Sequence, residues 1–210
     1  MSERVKYGLK WNPNPPVTPA QFATIAAATG VYTILSWLGV IALPIGVVGV
    51  SSFYIAIGFG IPFALWFGGY GLLIGYIGSF LGAGLLAGVP LTIAIPFGFV
   101  DWIQFGIPLL AYRLLAPKLK LDPIGKDVFT VKGFIFFLIF CTTIPNYLGS
   151  LYGIWILYVG GLVPAEAFYV AQVGWWISNM IVIVIISSIV LKLVSPVLER
   201  YGLTIKGIIS

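Results

Sequence analysis

Residues 68–88 read GGYGLLIGYIGSFLGAGLLAG, and within them Gly71, Gly75, Gly78 and Gly82 recur at i, i+4, i+7 and i+11. That spacing sets the four glycines on one face of a helix. Glycine is a poor helix former in water, so a row of it in an apolar segment points to a helix whose backbone must come close to another in lipid. The stretch predicts a membrane-embedded helix bundle with the glycine face as a packing seam. After Val89 and Pro90 the chain continues over residues 91–115 as LTIAIPFGFVDWIQFGIPLLAYRLL, which sets Asp101, Trp102 and Gln104 inside apolar sequence. A carboxylate in that setting needs a physical reason.

Composition agrees with the membrane reading. The 210 residues are 60% hydrophobic and 8% charged, with a mean hydropathy of +1.08. A soluble domain of this size does not combine so few charges with so much Leu, Ile, Val, Phe and Gly. The sequence predicts an all-α integral membrane protein, one bundle spanning residues 18–195, flanked by a polar segment 1–17 and a tail 196–210. The start, MSERVKYGLKWNPNPPVTP, is charged and proline-rich and lacks a signal peptide's apolar core and cleavage site. It is expected to remain on the mature protein.

The eleven basic residues fall into three groups: Arg4, Lys6 and Lys10; Arg113, Lys118, Lys120, Lys126 and Lys132; Lys192, Arg200 and Lys206. By the positive-inside rule all three are expected in the cytoplasm, so the net charge of +5 marks orientation beside anionic lipid rather than nucleic-acid binding. An even number of crossings must then separate the groups. Four segments fit the first interval: Thr18 to Leu43, Ser52 to Phe67, Tyr70 to Ala87, and Leu91 to Leu115. Two fit the second, Gly133 to Gly149 and Pro164 to Leu193. The expectation is about six transmembrane helices in the cell membrane with both termini cytoplasmic.

The second segment is short for a span and is interrupted by Gly58, Gly60 and Pro62, so it is either a kinked helix or irregular backbone walling a site. Helix one opens with Pro19 in its first turn. Its Ala23 and Ala27, with Ala26 and Gly30 beside them, form a small-residue face for packing within the bundle or for docking a partner. Outer loops are expected at Pro44 to Ser51, at Gly88 to Pro90 and at Ser150 to Glu166. Tyr152, Trp155 and Tyr158 in the last of these suit an aromatic belt or a lid.

Asp101 lies ~15 Å from the outer end of helix four at ~1.5 Å per residue, near the middle of the bilayer. Asn146 and Tyr147 fall near the outer end of helix five, and Gln172, Trp175, Trp176 and Asn179 in the first half of helix six. Polar groups gathered in one leaflet mark a ligand or ion path; the alternative is an Asp101 bonded to a neighbouring Tyr or Asn as helix glue. The expected site is one pocket, open to the outside, in which Asp101, Gln104, Asn146, Gln172 and Asn179 converge. Trp102, Trp175 or Trp176 would stack on a small heterocycle there.

No enzyme is expected. There is no histidine in the chain and Cys141 is the one cysteine, so a His- or Cys-built metal or haem centre is excluded and no cofactor is implied. A Ser nucleophile would have to use a lysine as its base, and every lysine falls at the predicted cytoplasmic face. Asp101 and Glu166 differ too much in depth to act as an acid-base pair. No phosphate-cradling glycine motif stands in a strand-turn-helix setting, so ATP hydrolysis is not expected.

The six-helix layout, the short second helix, GGYGLLIGYIGSFLGAGLL followed by a polar-marked helix ending YRLL, and the Ala23/Ala27 face together resemble the substrate-binding S component of energy-coupling factor (ECF) vitamin transporters. The resemblance covers nearly the whole chain at the level of pattern. It implies binding of a small vitamin-like solute, with a transmembrane coupling subunit docked on Ala23 and Ala27 and two cytoplasmic ATPases supplying energy. Many members carry an acidic residue late in helix three, where this chain has Ser79. The passage GVPLTIAIPFGFVDWIQFGIPLLAYRLL is also similar to the MASE1-type membrane sensor domain, which normally has more helices and a soluble output domain. Ligand sensing, or a structural subunit of a membrane complex, is the alternative function.

Overall fold

The computed structural model describes residues 7–9, 17–42 and 50–206. Arg4, Lys6, Lys10 and the loop from Pro44 through Gly49 lie outside the described residues. The described chain is all-helical: α1 (Pro19–Ala42), α2 (Ile57–Phe67), α3 (Gly69–Ala87), α4 (Leu91–Leu114), α5 (Val131–Val159) and α6 (Ala165–Arg200). All except α2 are long and apolar enough to cross a membrane, the make-up of a multi-pass membrane protein. Three of the helices widen into a π-helical stretch, at Ser79–Gly84 in α3, Leu138–Thr143 in α5 and Ile183–Ser187 in α6.

A capping box starts α1. The Thr18 amide donates to Gln21 Oε1 and the Gln21 amide to Thr18 Oγ1, which satisfies donors that a first turn leaves open. Ala28, Tyr32, Ser36 and Val40, four residues apart, form its buried edge. Ala23, Ala26, Ala27 and Gly30 lie exposed on another face, so the small-residue surface does not pack within the described chain.

The glycine stripe of α3 is where three other helices come in. A Cβ at Gly71 would stand 2.5 Å from the Phe63 carbonyl of α2, and one at Gly75 2.5 Å from the Phe105 ring of α4. At Gly78 it would run into the Tyr32 ring of α1, and at Gly82 into the Thr33 carbonyl of the same helix. No side chain fits at those separations, so the absence of Cβ is what lets α1, α2 and α4 close on α3.

Helix α2 has ten of its eleven residues buried. Pro62 has no N–H, which leaves the Gly58 carbonyl one turn earlier without its helical donor. Ser187 Oγ, at the end of the π-helical stretch of α6, donates to that oxygen at 2.7 Å. The second segment is thus a short helix with a repaired proline site, preceded by irregular backbone that packs against protein: Ser178 Oγ donates to the Ser52 carbonyl.

The C-terminal end of α2 is closed by distant residues. Arg113 Nη2 donates to the Leu65 carbonyl at 2.7 Å and Nη1 to the Pro123 carbonyl, while the Ile205 amide donates to the Trp66 carbonyl. A cation on the last carbonyls of a helix also meets the negative end of its dipole. Tyr7 stacks over Arg113 and Lys206, and its hydroxyl donates to Thr204 Oγ1. Lys126 bridges Asp122 and Glu199, and Lys206 approaches Glu199. Burial works against the Lys126 ammonium, but the hydrogen bonds to Glu199 and Asp122 outweigh it and raise its pKa. The loop after α4, the residues after α6 and Tyr7 therefore share one end of the bundle.

Besides α2, which starts at Ile57 and not at Ser52, three helices differ from expectation. Helix α5 does not stop at Gly149 but runs through Ser150 and Tyr158 to Val159, so the expected outer loop shrinks to a turn before Pro164. The reason is a buried edge of Gly149, Ser150, Gly153, Ile154 and Leu157 at helical spacing, with a Cβ at Gly153 lying 2.6 Å from the Trp175 ring. Helix α4 is in two pieces, Leu91–Phe97 and Val100–Leu114, broken just after Pro96. Helix α6 continues past residue 195 to Arg200.

Candidate functional site

Asp101 stands in the first turn of the second piece of α4, where the positive end of that helix favours a carboxylate. It is 1% exposed. The Tyr32 hydroxyl of α1 donates to its Oδ2 at 2.7 Å, and Ser79 Oγ, the first residue of the π-helical stretch of α3, donates to the same oxygen at 2.6 Å. Both lengths fall at the charge-assisted end of the O–H···O range. Tyr54, from the irregular segment before α2, extends the group by donating its hydroxyl to Ser36 Oγ on α1.

A small cavity borders this cluster, lined by Ser51, Tyr54, Ser79, Ala83, Phe97, Asp101 and Trp175. It has room for about one water molecule. Of the expected pocket residues, Asp101 and Trp175 border it. Gln104, Asn146, Gln172 and Asn179 do not.

Those four instead form a buried polar seam between α4, α5 and α6. Asn179 Nδ2 donates to Asn146 Oδ1 at 3.2 Å, and Gln172 Nε2 donates to Ser150 Oγ at 3.0 Å. Asn146 Nδ2 turns back to the Cys141 and Thr142 carbonyls, which precede Pro145 and its missing N–H. Gln104 lies against α5, its Cγ filling the place a Gly149 Cβ would take. Its Nε2 and Oε1, and Asn179 Oδ1, are buried without a hydrogen-bond partner among the described residues. A buried amide in that condition costs about 1–3 kcal/mol for each unmet group, which makes the seam the least settled part of the interior.

Of the remaining candidates, Trp102 and Tyr147 are exposed and Trp176 is half-buried. Trp102 is 41% exposed and packs edge-on against Phe99 and Tyr76. Tyr147 is exposed and meets Trp176, whose Nε1 donates to the Thr143 carbonyl. Each follows or adjoins a buried residue by one position, and i and i+1 do not share a helix face. An open apolar cleft of ≈ 430 Å³ on the outside is lined by Leu148, Leu151, Tyr152, Trp155 and Phe168; of these, Tyr152 and Trp155 were expected in a belt or lid.

The residues that reading by sequence did not single out are Tyr32, Ser36 and Tyr54; Ser79 was noted only as standing where the resembled family often has an acidic residue, not as a partner of Asp101. Tyr32 and Ser36 share the buried edge of α1, one turn apart, and that pairing of hydroxyls in an apolar helix was the available signal. The arrangement holds a carboxylate among hydroxyl oxygens, remote from the basic end. Comparison of the chain with protein-family models, with curated proteins and with solved structures gave no match.

Proposed function

We propose that the chain is the solute-binding membrane subunit of an uptake system, crossing the membrane six times with both termini and the basic end in the cytoplasm. It takes a small vitamin-like solute from the opposite side, and partner subunits supply the energy. The observation that carries this reading is the buried Asp101, held by Tyr32 and Ser79 beside an internal cavity where α4 is broken and α3 widens. Interrupted helices meeting at a buried ionisable group mark ligand paths in membrane proteins. The unmet amide of Gln104 in the adjoining seam supports a site that opens for its solute, with Trp175 between the two regions as an aromatic wall.

The exposed Ala23, Ala26, Ala27 and Gly30 face of α1 supports a docked partner, since a Cβ added at Gly30 meets nothing among the described residues. A coupling subunit and cytoplasmic ATPases fit that role. The competing reading, a purely structural subunit, is supported by the way Asn146 and Ser187 are used up on carbonyls that prolines leave open. Mass spectrometry of small molecules released from gently purified protein separates the two. A stoichiometric heterocycle supports uptake or sensing, and co-purification of an ATPase favours uptake; release of lipid alone would support the structural role.

A further inference from the structure

The oxygen chemistry around Asp101 goes beyond solute binding. The cavity beside it is bordered by the carboxylate, by the hydroxyl-bearing Ser51, Ser79 and Tyr54, and otherwise by Ala83, Phe97 and Trp175. Every polar side chain on that wall carries oxygen and none carries nitrogen outside the indole of Trp175. The two hydroxyls that bond Asp101 both donate to Oδ2, and among the described residues no donor reaches Oδ1. Short bonds from two donors suit an ionised carboxylate. Among the described residues no cationic side chain lies near it. The basic side chains there belong to the far end of the bundle, and Arg113, in the same helix, stands twelve residues away, ~18 Å at ~1.5 Å per residue.

An ionised carboxylate so placed needs a compensating positive charge. Hard oxygen donors select a hard cation, and room for one water molecule selects a small one. No group of three His, Cys, Asp or Glu side chains is present among the described residues, which fits a singly charged ion better than a divalent or transition metal. We propose that the cavity between α3, α4 and the segment before α2 is a sodium site, with Asp101 as its charged ligand and the hydroxyls of Ser79 and Tyr54 as neutral ones. The site concerns the same carboxylate as the uptake reading but does not rest on it, because an alkali cation satisfies Asp101 whether or not a solute is present. Sodium bound there ties α3, α4 and the pre-α2 segment together, and this would couple its occupancy to any opening of the bundle.

The test is thermal unfolding of the purified full chain, followed by tryptophan fluorescence with no solute added, in sodium, potassium and choline chloride at matched ionic strength. Sodium is expected to raise Tm saturably, by roughly 5–10 °C once it exceeds its Kd about a hundredfold, with potassium weaker and choline inert. Asp101→Asn is expected to abolish the difference between salts. If that variant does not fold, Tyr54→Phe, which removes one neutral oxygen, is expected to raise the half-saturating sodium concentration at least about fivefold. Identical melting in the three salts overturns the proposal and leaves a proton as the compensating charge. A sodium effect that survives both substitutions overturns it as well, by moving the ion elsewhere. Neither result bears on whether a solute co-purifies, so the uptake reading stands or falls separately.

Discussion

Tyr32 and Asp101 meet at 2.7 Å across the interface of α1 and α4, and each reaches the other past a different glycine of α3. The Tyr32 ring occupies the space over Gly78, and the Asp101 Cβ lies 3.0 Å from where a Gly75 Cβ would stand. The glycine stripe is thus a packing seam and also the condition for the polar centre.

Substitution in the stripe should therefore disturb both. Gly75→Leu and Gly78→Leu are expected to destabilise by more than the ~1–3 kcal/mol typical of overpacking, because the added atoms meet the Phe105 and Tyr32 rings directly. Leu73→Ala, on an exposed face of the same helix, should cost little by comparison. Thermal-shift assays in detergent check this, and equal small effects at the three positions would contradict it.

Tyr32→Phe removes one of two hydroxyl donors to Asp101 without changing the shape of a fully buried ring. The expected loss is about 1.5–3 kcal/mol, the scale of a hydrogen bond to a charged group. Ser79→Ala should cost a similar amount, and the pair should be non-additive because both donors serve the same oxygen. A double-mutant cycle measures that coupling.

The proline repair in α2 gives a sharper cycle. Ser187→Ala leaves the Gly58 carbonyl buried and unmet, at an expected cost of about 1–3 kcal/mol. Pro62→Ala restores the helical N–H that bonds the same carbonyl. Ser187→Ala should then be nearly neutral in the Pro62→Ala background. Equal costs in both backgrounds would mean that the serine acts in some other way.

How far these features were legible in the sequence differs by residue. The glycine stripe, the short second helix and the common end of the described basic residues followed from spacing and charge alone, since helical periodicity and the cost of buried charge operate locally. The extent of α5 was hidden because Tyr152, Trp155 and Tyr158 read as interfacial, while the deciding contacts, Gly149 on Gln104 and Gly153 on Trp175, come from other helices. Trp102, Tyr147 and Trp176 could have been set aside from the start, as each stands one position from a residue that faces inward. Tyr54 was beyond reach, because it precedes α2 in irregular backbone and meets Ser36 only through the tertiary fold.

Ala27→Trp tests the exposed face of α1. The position is exposed, so the isolated variant should fold and melt within about 0.5 kcal/mol of the parent, as surface substitutions do. Uptake by the assembled system should be lost. Unfolding of the isolated variant would return this face to internal packing.

The role of Asp101 is tested most directly by measuring, on the same purified preparations, the affinity for whichever solute is found to co-purify and the thermal stability of the parent chain and of Asp101→Asn. The substitution keeps the shape of the side chain and removes its charge. The account predicts a folded variant whose binding is weaker by about 1.5–3 kcal/mol, on the order of ten- to a hundredfold in Kd. Unchanged affinity together with lowered stability would contradict it, and would leave Asp101 as a bond between helices.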